Sequence, residues 1–457
     1  MAEREFDVVV IGAGPPGEIC AGRAAGGGLE VAIVEEHLLG GECSYFACMP
    51  SKALLRPGEL LAEVQRVPGA REAITGELDV ETALARRDEV IHDLDDSGQV
   101  PWLEGRGIEI FRGRGRLDGE RRVRVGDDSL IARRAVVVAT GSVPAMPPID
   151  GLADAHPWGN HEATTAKQAP RSLVVLGGGF VGAEMAQAWQ SLGSDVVLIE
   201  AQDRILSPEE PFASEQVAQG LRESGVDVRT GVAASAVRAE NGRVTVELEG
   251  SAPVTGEELL VAVGRKPSSG EIGLDSVGVE PGERGFIEVD DQLRVGGSEW
   301  LYAVGDINGR ALLTHMGKYQ ARIAADHILG KDVAATADHT EIPRVVFTEP
   351  QVAAVGRTLA AAQGDGLKVR AVDVDTAGTA GASFTGRNAP GTSRLVVDED
   401  RKVLVGATFV GPETAEFVHG ATIAVVGEVP LERLWHAVPS FPTRSEVWLY
   451  LMEKYGL

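Results

Sequence analysis

Two stretches of the chain share one order of apolar and polar positions. Phe6 to Ile11 reads FDVVVI, a nearly unbroken β-branched run, which is the pattern of a strand buried on both faces. It meets the turn Gly12-Ala13-Gly14-Pro15-Pro16-Gly17. A helix-length segment follows, then a strand from Val31 to Val34 that ends at Glu35. Residues 172–200, SLVVLGGGFVGAEMAQAWQSLGSDVVLIE, repeat the plan with Gly177, Gly179, Gly182 and Glu200. Gly12 to Glu35 and Gly177 to Glu200 are both 23 positions apart.

Glycines in such a turn let backbone N–H groups approach a pyrophosphate at a helix N-terminus, where the dipole favours anions. Pro16 suits the first helical turn, whose amides are unpaired anyway. The acid closing the second strand accepts hydrogen bonds from a ribose. One G-x-G-x-x-G fits any tight strand-to-helix turn; two copies with an acid at the same offset predict two dinucleotide sites. Glu200 repels a 2′-phosphate, so the second site is expected to prefer NADH over NADPH. Arg204, four residues on, opposes that preference.

Composition narrows the partners. The 457 residues suggest about three domains at ~150 residues each. The net charge of -25 argues against nucleic acid or an anionic membrane surface, both of which need a basic face. No apolar run approaches the ~18 residues of a membrane helix. The opening MAEREFDVVVIGAG mixes acid and base and runs straight into a strand, unlike a secretory leader. A cytoplasmic protein is expected.

The chain has three cysteines. Cys20 reads as a small buried hydrophobe on the first helix. Cys43 and Cys48 lie in GGECSYFACMPSKALL, with four residues between them and no second pair for a zinc site. In a reducing compartment such a pair is more often catalytic than structural.

That segment resembles the redox-disulfide segment of the flavoprotein disulfide reductases, the family of dihydrolipoamide dehydrogenase, glutathione reductase and mercuric reductase. ATGSVP (139–144), VAVGRKP (261–267), LYAVGDING (301–309), LLTHMGKYQARIAA and IPRVVFTEPQVAAVG (342–356) resemble further family motifs, in family order. The resemblance implies an α/β fold with two Rossmann-like domains, for FAD and NAD, and an α+β C-terminal dimerisation domain. Expected segments are 1–150 for FAD, 151–268 for NAD, 269–338 completing the FAD site, and 339–457 for dimerisation. It assigns FAD to the turn of Gly12, Gly14, Gly17 and Glu35. Further cofactor contacts are implied at Gly41, Gly115, Thr140, Gly141, Ser142, Asp306 (on the ribityl chain), Leu313, His315 and Gly264.

The resemblance also implies the chemistry. Electrons pass from NADH through FAD to a Cys43–Cys48 disulfide. Cys48 is then the thiolate against the flavin and Cys43 the outer thiol that attacks a substrate. Pro50 and SKALL suggest a helix starting beside Cys48, whose N-terminus stabilises a thiolate. Lys52 matches a family lysine beside the flavin and Glu184 its partner. The expected assembly is a homodimer with a small-molecule acceptor.

One position departs from the family. Its C-terminal pattern, like HAHPTxSE, carries a histidine acid–base oriented by a glutamate. This chain has HAVPSFPTRSE, which puts Phe441 in the histidine's place and leaves Glu446 as the orienting acid. His436 is the nearest substitute. Tyr45 and Phe46 are bulkier than the usual residues between the cysteines and are expected to crowd the approach to Cys43. Two acceptor classes follow: a disulfide, or a non-disulfide acceptor such as a quinone, a metal ion or oxygen. A catalytically idle NADH-sensing flavoprotein is a third reading, opposed by the retention of Cys43, Cys48, Lys52 and Glu184.

Overall fold

The computed structural model describes residues 3–387, 389 and 391–457. The chain divides into two compact units. One comprises residues 1–50, 88–145 and 265–339; the other comprises 51–87, 146–264 and 340–457. Residues 51–87, expected within the first FAD segment, group with the second unit.

The first unit is built on a seven-stranded sheet. Strand β1 (Glu3–Ile11) pairs in parallel with β2 (Val31–Glu35) on one side and with Asp128–Val138 on the other. Ile108–Arg112 extends the sheet beyond β2, and Leu301–Ala303 pairs with Asp128–Val138. All five residues of β2 are buried, as the apolar runs demand of strands covered on both faces. Helix α1 (Pro15–Gly26) connects β1 to β2 and packs against the helix Thr314–Ile328. The expected strands at Phe6–Ile11 and Val31–Val34 are present and extend slightly further. A short helix α2 (Gly41–Tyr45) follows β2, and α3 (Cys48–Arg66) begins at the second cysteine of the pair.

The second unit repeats the arrangement in a four-stranded parallel sheet. Its strands β3 (Ser172–Leu176) and β4 (Asp195–Glu200) flank helix α4 (Phe180–Ser191). A five-stranded antiparallel sheet spans Pro343–Val346 to Val403–Gly411, with the helices Val418–Val426 and Val447–Tyr455 each packing one face on it. LAAAQG forms the short helix Leu359–Gly364. Among the described residues no helix is long and apolar enough to cross a membrane.

Candidate functional site

The three glycines of each turn do separate jobs. Gly12 has φ +100°, and a Cβ there would lie 2.4 Å from the Ala139 carbonyl oxygen. A Cβ on Gly17 would lie 1.9 Å from the Gly12 oxygen. Both positions therefore need glycine for packing alone. Gly14 is different: the nearest atom to its Cβ position is Pro16 Cδ at 4.0 Å. Its openness leaves the head of α1 clear for an anion. The second turn repeats this. Gly177 abuts the Ala262 oxygen at 2.5 Å, Gly182 abuts the Gly177 oxygen at 1.8 Å, and Gly179 meets nothing within 4 Å.

The acids are held in the same way. Glu35 accepts hydrogen bonds from Ala13 N and His37 N, both at 2.7 Å. Glu200 accepts from Gly178 N at 2.6 Å and Gln202 N at 2.8 Å. A carboxylate has about four acceptor sites, so each retains capacity for ribose hydroxyls. These residues fit a dinucleotide in each unit. Past Glu200 lies a cavity of about 520 Å³ lined by Gln202, Asp203, Arg204, Ser207 and Pro208. Arg204 is already engaged there, donating to Ser207 O, Glu209 O and Ser214 Oγ.

Gly40 and Gly41 both have positive φ, which turns the chain from β2 into α2. A Cβ on Gly41 would lie 2.7 Å from Gly14 Cα, so the cysteine segment is seated directly on the first glycine turn. The structure holds the pair as thiols. Cys43 hydrogen-bonds Cys48, and that bond, then burial, then the charge of Cys48 push its pKa up; Thr314 and Lys318 act against the rise. Cys43 thus holds its proton more tightly than a free thiol does. Cys48 heads α3, and its Sγ lies 3.3 Å from Oγ1 of Thr314, the first residue of the helix Thr314–Ile328. Tyr45 is only 1% exposed and stands away from any approach to Cys43. The crowding expected of it is not found, because its ring fills the core beneath Gly40.

Asp306 receives a hydrogen bond from Ser142 Oγ at 2.6 Å, and burial pushes its pKa up. Arg265 donates to Ser142 Oγ at 2.6 Å and to Ser142 O at 2.5 Å, and stands 3.5 Å from Glu42. The Thr140 hydroxyl bonds Ser268 O at 3.1 Å, and Gly141 and Gly264 have positive φ. Gly115 is a packing glycine: its Cβ position meets the side chains of Ile11 and Val34 within 3.1 Å. Leu313 is the N-cap residue of the Thr314–Ile328 helix, and His315 is exposed in its first turn.

In the second unit Lys52 Nζ meets Glu184 Oε2 at 2.6 Å and lies 4.7 Å from the centre of the Phe347 ring. Glu184 is buried, and its other oxygen accepts from Phe347 N at 3.0 Å. Phe441 is 77% exposed. Glu446 is buried and accepts from Gly381 N at 3.1 Å, so it braces the backbone near Phe441. His436 is exposed and lines an apolar groove with Trp435 and Trp448. Sequence reasoning missed Thr314, Arg265, Glu42 and Glu18. Only Thr314 carried a signal, as the one hydroxyl at the start of the helix in LLTHMGK.

A family model described as pyridine nucleotide-disulphide oxidoreductase matches residues 6–325, and its dimerisation domain matches 342–451. The chain is 31% identical over 449 residues to a dihydrolipoyl dehydrogenase of Chlamydia muridarum, covering 97% of this chain and 95% of that one. A dihydrolipoyl dehydrogenase of Staphylococcus aureus is 32% identical over 467 residues, covering 98% and 96%. Among solved structures, the HOCl-induced flavoprotein disulfide reductase RclA from Escherichia coli, as its Cu(II) complex, superposes with a TM-score of 0.87 at 24% identity. That likeness covers 98% of this chain and 99% of that one, and it bears on fold alone.

Proposed function

Because the chain belongs to the pyridine nucleotide-disulphide oxidoreductases, we propose that it is an NADH-dependent flavoenzyme that reduces a disulfide through Cys43 and Cys48. That it is an FAD-dependent oxidoreductase using a pyridine nucleotide follows from its relatives, and the matched dimerisation domain supports a homodimer. FAD, when bound, carries two electrons from the nicotinamide to the cysteine pair. The remaining steps fall to this chain's own residues.

The observation that carries the reading is the geometry around the pair. Cys48 is placed at the head of one helix and against the first hydroxyl of another, both of which favour a thiolate. Cys43, whose pKa is pushed up by its hydrogen bond to Cys48, is the thiol presented to an acceptor. The ion pair of Lys52 and Glu184 supports Lys52 in the role the family resemblance gives it, a fixed cation at the flavin. NADH is favoured over NADPH because a 2′-phosphate beside Glu200 meets a carboxylate, and Arg204 is occupied by Ser207, Glu209 and Ser214.

Phe441 favours a second reading. An exposed phenyl ring moves no proton, whereas a positioned acid–base group is worth about 10²–10⁴-fold. Acceptors that take electrons straight from flavin avoid that loss. The test is a panel of lipoamide, an aryl disulfide, a quinone and Cu(II), assayed with NADH in wild type and Phe441→His. The disulfide reading expects loss of disulfide turnover in Cys43→Ser. It also expects a gain in Phe441→His of at most about 10²–10⁴-fold. Quinone or Cu(II) turnover that survives Cys43→Ser, with no disulfide turnover in wild type, overturns it.

A further inference from the structure

Asp306, which the family resemblance places on the ribityl chain of FAD, sits between the strand Leu301–Ala303 and the helix Thr314–Ile328. Residues Gly305–Asn308 form one tight turn around it. Gly305 has φ +80°, and a Cβ there would lie 3.0 Å from Pro16 Cγ, so this turn is seated against the first glycine turn. Turns this short have poor internal hydrogen-bond geometry. The bonds that fix this one come from Gln320.

Gln320 lies on the helix Thr314–Ile328 and is fully buried. Its Oε1 accepts from Gly305 N at 2.8 Å and from Asn308 Nδ2 at 2.9 Å, one donor on each side of Asp306. Asn308 Nδ2 also donates to Ala303 O at 3.1 Å, and its Oδ1 accepts from Arg310 N at 3.1 Å. Gln320 Nε2 donates to Asp338 Oδ2 at 2.9 Å. The Asp338 side chain is fully buried, and Arg310 donates to both of its oxygens at 3.3 Å. A carboxylate only accepts, whereas Gly305 N and Asn308 Nδ2 only donate. The Gln320 amide therefore has one orientation, because turned over it would lose its bonds to Gly305, Asn308 and Asp338 together. Asp338 sets the amide, and the amide sets the turn.

We propose that Gln320, oriented by Asp338, is a positioning residue of the flavin site: by holding Gly305 and Asn308 it aims the Asp306 carboxylate and so sets the affinity for FAD. This rests on the assignment of FAD to the first unit. The Asp306 carboxylate accepts from Ser142 Oγ at 2.6 Å and stands 3.7 Å from Arg265. A carboxylate has about four acceptor sites, so it keeps capacity for a hydroxyl of the cofactor. Such a bond is strong only when its length and angle are right. Losing the amide leaves Gly305 N without its acceptor and Asp338 without its amide donor, both buried. The turn then relaxes to serve them, and Asp306 moves off its aim.

The experiment measures the FAD dissociation constant of the full-length flavoprotein, from the free flavin in ultrafiltrates of serially diluted enzyme. Circular dichroism reads folding in parallel. Gln320→Glu sets a carboxylate against Asp338, and Asp338→Asn lets the amide turn over; each is expected to weaken FAD binding by about tenfold or more. The double variant, Gln320→Glu with Asp338→Asn, exchanges the two groups, keeps the net charge and matches donors to acceptors again. It is expected to bind FAD within about threefold of wild type. In an Asp306→Asn background, Gln320→Glu should weaken binding by less than about twofold more, because its effect runs through Asp306; a residue that serves the fold alone adds its full loss. Unchanged binding in Gln320→Glu, a double variant that does not fold or binds no better than the single ones, or full additivity with Asp306→Asn overturns the inference while the FAD reading stands. If the single variants do not fold, the double variant alone decides, by binding FAD within about threefold of wild type or failing to. Wild type that purifies without flavin and takes up none overturns both.

Discussion

In both dinucleotide units the first glycine abuts a carbonyl oxygen from the next strand of the sheet. The third abuts the carbonyl of the first, and the middle one faces open space. Both acids accept one amide from the turn and one from two residues downstream. The units diverge immediately after the third glycine. The first reads Gly17-Glu18 and buries a carboxyl at about pKa 7, where the second reads Gly182-Ala183 and buries a methyl group. They diverge again beyond the acid. The first turns through Gly40 and Gly41 into the cysteine segment; the second runs into a loop tied down by Arg204. The steric cradle is shared, and the chemistry lies in what packs around it.

The largest expected effect comes from the third glycines. A methyl group at Gly17 or Gly182 has only backbone atoms to displace, at 1.9 and 1.8 Å, so the turn must open at a cost of several kcal/mol. Gly17→Ala should purify without FAD. Gly182→Ala should keep its flavin absorbance but lose reduction by NADH. Equal flavin loss in both would break the assignment of one cofactor to each unit.

Next in size is Glu18→Gln, which makes the first helix electrostatically like the second. A carboxyl whose pKa is raised from 4.5 to about 7 stabilises the fold only while protonated. Stability is lost as pH rises between those values. Glu18→Gln should match wild type at pH 4.5 and exceed it by about 3 kcal/mol at most at pH 8, read by denaturant unfolding. A gap that is the same at both pH values would show that Glu18 is not buried as an acid.

Glu200→Ala should raise the NADPH-to-NADH ratio of kcat/KM by about 10–100-fold, equivalent to about 1.4–2.8 kcal/mol. An unchanged ratio would place the discrimination elsewhere, with Arg204 the first residue to examine. The smallest stability effect belongs to Gly179→Ala. Its Cβ meets nothing within 4 Å, so unfolding should shift by less than about 1 kcal/mol while KM for NADH rises. A large stability loss would mean that the middle glycine is there for packing, as its neighbours are.

Much of this was legible in the sequence because it is local. Glycine spacing, β-branched runs and an acid at a fixed offset are constraints within some thirty residues, and backbone sterics turn them into a strand, a turn and a helix. Lys52 with Glu184 was legible only through family resemblance; the folded chain joins residues far apart in sequence at 2.6 Å. Tyr45 misled because its exposure is set by the core beneath Gly40 rather than by its place between the cysteines. Arg204 could be named as a cation near the ribose, yet its three acceptors come from a loop whose path no residue pattern foretold.

By itself the sequence determined that there are two glycine turns with matched acids, a cysteine pair, and phenylalanine at position 441. Covalent order and local backbone preference are enough for those. Only the tertiary structure decided that the pKa of Cys43 is pushed up beside Cys48, that Thr314 meets Cys48, and that Oε1 of Glu18 is buried without a hydrogen-bond partner among the described residues. Protonation depends on the charges and water within a few ångströms. Those neighbours come from α1, α2 and the helix Thr314–Ile328, which the chain brings together only by folding.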